Sequence, residues 1–249
     1  MSKSRNKFLI INEENVKDPF LVRNEFQKAL AKERLIEEIL LDNEFIEIEE
    51  RKKTAKLKQV KITELDYANE KFKVEKIWRV NLEKQIPGIS TSGKTTEVAL
   101  LVLQKYEGNS YTLNIILVEM KSSLQPRKTK SGKVINSSFD EIHDKFRDSM
   151  NRMYMLLTLN NYGNPDKYYN RSSIKINFKG AIFYDRNEIK EGDIENDNEQ
   201  NFYDIFEGKR NLLTCSTILS DNDKIKVKSF NNIDDQGSIT VKIEDLLFK

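Results

Sequence analysis

Two charged residues that could do chemistry, Glu119 and Lys121, stand at the end of an apolar stretch of the sequence. This stretch, residues 113–118, is Leu-Asn-Ile-Ile-Leu-Val, and its shortness and β-branched content predict a buried strand. Because side chains alternate along a strand, the carboxylate and the amine point to the same face. The sequence therefore predicts a carboxylate and an ammonium group together at one end of a strand.

A second carboxylate, that of Glu97, is expected beside this pair. Another apolar stretch, residues 98–103, follows Glu97, and Tyr-Glu-Gly-Asn-Ser separates the two stretches, which is typical of a hairpin turn. If the turn is centred on Gly108, the numbers of cross-strand partners have a constant sum, and Glu97 lies opposite Glu119. Because the Cβ atoms of such partners are about 5 Å apart, two carboxylates and a lysine should converge at the open end of the hairpin.

This set of groups is suited to metal-assisted attack on a phosphate. Paired carboxylates provide the oxygen ligands that Mg²⁺ or Mn²⁺ prefers. A neighbouring lysine can stabilise the charge that develops on a phosphate, or can help to position and deprotonate an attacking water. The alternative is structural: Glu119 and Lys121 would form only a salt bridge at the end of a strand.

The rest of the pattern predicts an α/β or α+β fold, in which helices flank a mixed central β-sheet. Asp18 and Pro19 are a good helix start, and apolar residues keep helical spacing to about Asp42. A second helix follows the hairpin, and one apolar face marks it: Phe139, Ile142, Phe146, Met150, Met153 and Leu157.

Several weaker patterns complete the predicted order of elements. They are exposed strands within residues 44–84, a strand at 174–184, an exposed acidic loop at 191–200, a helix at 202–213, and a closing hairpin of residues 225–227 and 239–241. We interpret the chain as one domain, residues 1–249, with a core of about 19–184 and a C-terminal extension of about 185–249.

Composition narrows the class of protein. The formal net charge is only +2, from 42 basic and 40 acidic residues, so any basic surface for nucleic acid must be local. The single cysteine, Cys215, excludes an internal disulfide, fits a reducing compartment and is expected to be buried. No apolar stretch is as long as a membrane span and the start of the chain has no apolar signal core, so we expect a cytoplasmic protein without a membrane partner.

A local basic segment follows the predicted hairpin. Residues 125–133 are polar and lack periodicity, which predicts a flexible loop just beyond the carboxylates. Its basic residues are Arg127, Lys128, Lys130 and Lys133. They could bind the phosphates of a nucleic acid, or they could serve only to keep the loop soluble.

The Glu119-Met120-Lys121 sequence, placed directly after an apolar strand, resembles the Glu-x-Lys half of the PD-(D/E)xK nuclease superfamily. That family has an acidic residue on one strand and the (D/E)xK motif on the next, antiparallel strand, with a helix before them and a helix and a further strand after them. The predicted order is similar from about residue 19 to 184. Glu97 would be the first acidic residue, standing where aspartate is usual, and Thr96 precedes it where proline is usual.

The resemblance implies a restriction-endonuclease-like core and a nuclease activity. It implies that Glu97 and Glu119 bind Mg²⁺ (or Mn²⁺) and that Lys121 assists hydrolysis of a phosphodiester bond. The expected substrate is DNA, the expected role is restriction or defence, and a homodimer is a common form of such enzymes.

Two alternative functions stay open. Residues 88–95, Gly-Ile-Ser-Thr-Ser-Gly-Lys-Thr, match the Walker A pattern of P-loop nucleotide hydrolases, in which Lys94 would reach the terminal phosphates and Thr95 would hold Mg²⁺. That motif must join a buried strand to a helix, whereas residues 80–87 make a poor buried strand and residues 96–105 also suit a strand. The other alternative is a non-catalytic nucleic-acid-binding or assembly module with the same fold.

Overall fold

Strands dominate the computed structural model, which describes residues 35–50, 52, 54–84, 93–107, 110–130, 133–159 and 174–248. The first strands of this part are β1 (Ile36–Ile39), β2 (Phe45–Glu49), β3 (Gln59–Thr63), β4 (Phe72–Asn81), β5 (Val98–Tyr106), β6 (Tyr111–Leu124), β7 (Lys128–Lys130) and β8 (Lys133–Ile135). They are followed by α1 (Ser138–Leu159), β9 (Ile174–Asn187), α2 (Asp197–Phe206), β10 (Leu212–Cys215), β11 (Asp223–Phe230), β12 (Ser238–Lys242) and α3 (Ile243–Leu246). The mixed α/β class is as predicted.

The main sheet of the described residues has seven strands, in the order β1-β4-β5-β6-β9-β11-β10. β9 is parallel to both of its neighbours, β6 and β11, whereas all other neighbours are antiparallel. A separate three-stranded sheet has the order β12-β3-β2, with β12 parallel to β3 and β2 antiparallel to it. Strands from residues 212–242 thus belong to both sheets.

The central hairpin has the register that the sequence predicts. β5 and β6 are antiparallel, and their partners range from Val98 and Val118 at the open end to Lys105 and Tyr111 near the turn. The backbone N–H of Glu97 donates to the carbonyl oxygen of Val118 at 3.1 Å, which continues the ladder by one residue. Glu97 therefore lies beside the strand that carries the Glu-x-Lys sequence.

Both faces of the main sheet are covered, which explains the nearly continuous apolar sequence of β5 and β6. Leu101 and the residues that alternate with it pack in one cluster with Phe146 and the apolar face of α1. Leu100 and its alternating neighbours pack in a second cluster with Val60 of the small sheet. The structure consequently has three layers, with the main sheet between the helices and the small sheet.

The predicted helix from Pro19 to about Asp42 is wrong over its last turns, and its residues 19–34 lie outside the described part of the chain. Residues 36–39 form β1 because they pair antiparallel with β4, with Ile36 opposite Val80. Tertiary pairing has overridden the helical spacing of the apolar residues there.

Three predictions in residues 191–241 are wrong in whole or in part. Residues 191–200 are not a loop, because they contain a 3₁₀ turn and the start of α2, where the Asn196 side chain accepts a hydrogen bond from the Glu199 N–H at 2.9 Å. Of the helix predicted at 202–213, residues 202–206 are helical as predicted, but the helix ends there, and residues 212–213 belong to strand β10. The predicted closing hairpin separates into β11 and β12, because each finds a parallel partner far back along the chain, β9 and β3 respectively.

Two further predictions concerned exposure and order. The strands within residues 44–84 are not exposed on both faces, since Ile48, Val60 and Ile62 are buried against the main sheet. The basic segment is not a loop throughout, because β7 and β8 pair as a small antiparallel ladder.

Cys215 is buried as expected, and burial together with Asp223 raises the pKa of its thiol to about 12. No helix of the described residues is long and apolar enough to cross a membrane.

The close approach of β9 to α1 depends on Gly180. A Cβ atom at this position would lie 2.6 Å from Cζ of Phe146 and 3.1 Å from Cγ2 of Val227. We expect Gly180→Ala to lower the free energy of unfolding by about 1–3 kcal/mol, because two packed elements must move apart. Gly192→Ala is the control, since a Cβ there would meet no atom within 4 Å. Equal urea midpoints for the two variants would contradict this account of the packing.

Candidate carboxylate and lysine site

Glu119 is a charged residue with no exposed surface, at the end of the apolar part of β6. Its Oε1 oxygen accepts a hydrogen bond from Nζ of Lys145 at 2.6 Å and lies 3.6 Å from Nζ of Lys121. Its Oε2 oxygen is buried and has no hydrogen-bond partner among the described residues. One oxygen of the carboxylate is thus well held, and the other is left for a further ligand.

Glu97 reaches the same ammonium group from the neighbouring strand. Its Oε1 oxygen lies 3.6 Å from Nζ of Lys145, so that one lysine bridges the two carboxylates. The Glu97 side chain is 23% exposed, in contrast to Glu119. The structure therefore brings together Glu97, Glu119 and Lys121, the three residues expected at the open end of the hairpin, and adds Lys145.

The start of β5 is fixed to α1 by Thr96. Its backbone N–H donates to the Ser149 hydroxyl at 2.9 Å, and the two hydroxyl groups are 3.1 Å apart in a fully buried contact. Proline, usual before the first acidic residue of the nuclease family, has no N–H and could not donate this bond. The contact between Thr96 and Ser149 therefore fixes the backbone next to Glu97.

Helix α1 provides two residues that the sequence analysis missed, Glu141 and Lys145. Oε2 of Glu141 lies 3.3 Å from Nζ of Lys121, and its Oε1 lies 3.9 Å from Nζ of Lys94. The two residues are four positions apart and therefore lie on the same side of a helix. That spacing was visible in the sequence, but only the packing of α1 on the sheet directs this side of the helix toward Glu119.

Three glutamates and three lysines therefore form one ionic cluster, defined here as Glu97, Glu119 and Glu141 with Lys94, Lys121 and Lys145. Their formal charges balance. The lysine nearest the centre, Lys145, is mostly buried, whereas Lys94 is largely exposed.

Burial governs the protonation of the two central carboxyl groups. Desolvation and the neighbouring Glu119 raise the pKa of Glu97 from 4.5 to about 7, although Lys145 acts in the opposite direction. Desolvation also raises the pKa of Glu119, again against the effect of Lys145 and Lys121. For Lys145, desolvation acts to lower the pKa, but Glu119 and Glu97 outweigh it and raise the pKa. Lys145 therefore stays charged, while Glu97 exchanges a proton near neutral pH.

An acidic cleft of about 490 Å³ opens beside Glu97. Its walls come from β1, β2 and β4, and its carboxylates are Glu37, Glu47, Glu49, Glu83 and Glu97. Arg79 also lines the cleft, and its guanidinium donates to the carbonyl oxygen of Glu47 at 2.9 Å. The cleft favours cations and disfavours phosphates.

The donor set of the cluster fits a hard cation with few protein ligands. No group of three or more aspartate, glutamate, histidine or cysteine residues in the described part of the chain is placed to hold a metal ion. Mg²⁺ is commonly bound by only one or two carboxylates, with water and substrate phosphate as its other ligands. The Glu119 Oε2 atom, together with Glu97, meets that smaller requirement.

The basic segment is arranged differently from the loop that was expected. Nη2 of Arg127 lies 2.6 Å from Oδ2 of Asp140 and 3.6 Å from Oε1 of Glu199. Its Nε atom lies 3.3 Å from Oε2 of Glu195. The guanidinium therefore connects the segment to α1 and to the start of α2. Lys128, Lys130 and Lys133 belong to the β7–β8 ladder. Binding of nucleic acid by these four residues stays a prediction.

The end of the Walker-like sequence can be located, although residues 85–92 lie outside the described part of the chain. The Thr95 hydroxyl donates to the carbonyl oxygen of Leu82 at 3.0 Å, and Lys94 joins the ionic cluster through Glu141. The next element is strand β5, whereas a P-loop continues into a helix. The strand–loop–helix connection that this motif requires is therefore not formed here.

Comparison with known proteins assigns no family to the chain. No protein-family model matches the sequence, and no curated protein or solved structure matches it significantly. The geometry of the ionic cluster is consequently the basis for an assignment of function.

The raised pKa of Glu97 makes stability depend on pH. Between pH 4.5 and about 7 the folded protein binds a proton that the unfolded chain has lost, so the Glu97 contribution to stability falls as the pH rises through this window. Glu97→Gln keeps a neutral side chain at every pH. We expect the variant to be more stable than the wild type at pH 8 by roughly 1–2 kcal/mol, after allowance for solvent screening of a half-buried group.

The measurement is urea unfolding of both proteins at pH 5 and pH 8. At pH 5 the two free energies should be nearly equal, because wild-type Glu97 is then protonated as well. A difference that is independent of pH would show that Glu97 does not titrate near neutrality.

The contact between Lys145 and Glu119 should be the most costly one to break. Lys145→Met leaves a buried carboxylate without its main partner. We therefore expect the free energy of unfolding at pH 8 to fall by about 3–5 kcal/mol. The loss should shrink at pH 5, because Glu119 can then take up a proton more readily.

A double variant and a control test whether the unpaired charge of Glu119 causes this loss of stability. Adding Glu119→Gln to Lys145→Met should restore much of the stability, because the unpaired charge is removed. Lys242→Met is the control, since Nζ of Lys242 lies 2.8 Å from Oε1 of Glu64 in an ion pair whose two side chains are both about half exposed, and such pairs contribute little. If the change in the free energy of unfolding for the double variant equals the sum of the changes for the two single variants, Lys145 and Glu119 are not energetically coupled.

Proposed function

We propose that the chain is a metal-dependent nuclease that hydrolyses phosphodiester bonds in DNA. The observation that supports this most directly is the buried Glu119 carboxylate, whose Oε2 atom has no partner among the described residues while lysines hold its Oε1 atom. A buried acceptor without a partner costs free energy, and a bound cation would remove that cost.

The order of elements supports the resemblance to the PD-(D/E)xK family. Glu97 precedes β5, the Glu-x-Lys sequence is on the antiparallel strand β6, and helix α1 and the parallel strand β9 follow. A restriction-endonuclease-like core is therefore part of the proposal. The role in restriction or defence and the homodimer rest on the family resemblance alone.

Glu119 and Glu97 would hold Mg²⁺ (or Mn²⁺). When bound, the metal would polarise the scissile phosphate and lower the pKa of a water. Lys145 would keep Glu119 ionised and fix its Oε1 atom, so that the Oε2 atom keeps its orientation. Lys121, which is partly exposed, would stabilise the charge that develops on the phosphate.

The charge distribution favours one direction of approach for the substrate. A phosphodiester would be repelled by the acidic cleft beside Glu97, and it would be attracted by Lys121 and by the largely exposed Lys94. The β7–β8 ladder follows β6, so its lysines would extend the contact with the DNA backbone. Such contacts would add affinity without sequence preference.

A second function is favoured by one observation, the bridge that Lys145 makes between the two carboxylates. An ammonium group in this position already balances their charge. The same fold could then act as a non-catalytic nucleic-acid-binding or assembly module, with the cluster serving only stability.

The test is cleavage of plasmid and single-stranded DNA in the presence of Mg²⁺ or Mn²⁺. Lys121→Ala and Glu119→Gln should each lower the rate of cleavage by about a hundredfold or more, because each removes a group that acts on the transition state. Lys73→Ala, at an exposed lysine near the other end of the sheet, should cleave as the wild type does.

Calorimetric titration with Mn²⁺ separates the two functions. The nuclease is supported if the wild type binds Mn²⁺ and cleaves DNA, and if Glu119→Gln loses both the metal binding and the cleavage. DNA binding without cleavage in either metal supports the non-catalytic module. Unchanged cleavage in Lys121→Ala would reject the proposed mechanism.

A further inference from the structure

A second cavity, of about 380 Å³, lies at the opposite end of the main sheet from the ionic cluster. Gln104 and Asn114 line it, and they are separated from Glu97 and Glu119 along β5 and β6 by several residues at about 3.3 Å each. Its volume falls within the range of about 300–1,000 Å³ that is typical of sites for small molecules. The two sites therefore share strands but not residues.

Four lysines of the described part of the chain line this cavity: Lys175, Lys179, Lys224 and Lys226. They come from the first halves of two adjacent parallel strands, β9 and β11, where Lys226 is the direct partner of Lys179. No ion pair joins any of these four to a carboxylate within the described ranges. Positive charge is thus gathered on one wall without anionic partners.

Among the residues that the structure describes, one carboxylate lines the cavity, and it is already engaged. Oδ2 of Asp223 accepts hydrogen bonds from the Tyr154 hydroxyl at 2.5 Å and from the Thr217 hydroxyl at 3.0 Å. Its Oδ1 atom accepts from the backbone N–H of Lys224 at 2.9 Å. Asp223 is therefore held by neutral donors and does not neutralise the lysines.

Lys179 is the unusual member of the group, because it is 6% exposed. Its ammonium donates to the carbonyl oxygen of Phe248 and lies 4.6 Å from the centroid of the Phe248 ring. Burial and the adjacent Lys226 lower the pKa of Lys179 to about 8. Among the described residues this buried ammonium group faces another lysine and no carboxylate, so a bound anion would stabilise it.

Neutral polar groups complete the lining. The Asn114 amide donates to Oε1 of Gln104 at 2.6 Å, and Asn177 lies opposite Asn114 on the adjacent strand. The Tyr106 hydroxyl also donates to Oε1 of Gln104, at 3.3 Å. A few fixed polar groups beside concentrated charge are what orients a small polar ligand in a pocket.

We propose that this lysine-lined cavity binds a small anion that carries phosphate groups. Phosphate offers several acceptor oxygens and more than one negative charge near neutral pH, which matches a wall of several lysines better than a single carboxylate does. The site is independent of the ionic cluster at Glu119 and of the nuclease function proposed for it.

The first test is calorimetric titration of the full chain with inorganic pyrophosphate at pH 7 and a fixed salt concentration. Lys175→Ala/Lys226→Ala replaces two exposed lysines of the cavity, so the fold should be kept. We expect pyrophosphate to bind at least tenfold more weakly to this variant, because charged hydrogen bonds of this kind each contribute about that factor. Lys190→Ala, at an exposed lysine outside the cavity, should bind as the wild type does.

Two results would overturn the proposal: no binding of pyrophosphate to the wild type at millimolar concentration, or equal binding to the wild type and the double variant. Glu119→Gln should keep full affinity for pyrophosphate, so that failure of the nuclease proposal is distinguished from failure of this one. A single-stranded oligonucleotide that binds in a Lys226-dependent way, when pyrophosphate does not bind, would replace the small anion with a nucleic-acid surface.

Proton linkage gives a second readout at pH 8. A bound anion should raise the pKa of Lys179, so binding takes up protons, and the affinity should fall as the pH rises from 7 to 9. Among the described residues, the other ionisable groups that line the cavity are Lys175 on the same strand, Asp223, Lys224 and Lys226 on β11, Tyr106 on β5 and Tyr154 on α1. Lys228 lies near the Phe248 ring and is paired with Asp245 of α3. Lys179→Met should abolish the proton uptake, and uptake that persists in this variant would contradict the assignment.

Discussion

Burial of the Glu119 carboxylate beneath α1 is the constraint on which the candidate site depends. A charge in such a place requires a partner of opposite sign, and Lys145 provides it from the helix. The contact in turn fixes the position of α1 relative to β6. Thr96 and Ser149 reinforce the same docking from β5. The site and the packing of helix on sheet are therefore a single arrangement.

The hairpin could be predicted from the sequence because its information is local. Two apolar stretches and one turn determine the register, and the structure has that register. The face of α1 was predicted for the same reason, because its apolar residues repeat within the helix and all are buried. What lies opposite a helix is not local, and the role of Lys145 could not be derived until α1 was placed on the sheet.

The incorrect predictions have the same origin. Residues 36–39 follow a helical spacing, yet they pair with β4, and this pairing is determined by residues far along the chain. β11 and β12 follow one another, which suggested a hairpin, but each completes a different sheet. Parallel pairing joins distant segments and leaves no local signature in either one. Sequence patterns therefore described the central hairpin well and the edges of the sheets poorly.

The parallel pairing of β12 with β3 has a consequence for how the protein is made. On the ribosome, β3 emerges early, and most of the described chain must be synthesised before β12 follows. Until then, the face of the central hairpin that the small sheet covers has incomplete protection, and Leu100 and Val102 are among its apolar residues. Such contacts between distant segments slow folding and expose surface that can aggregate. Nascent chains of this protein should accordingly depend on chaperones that shield apolar strands until translation is complete.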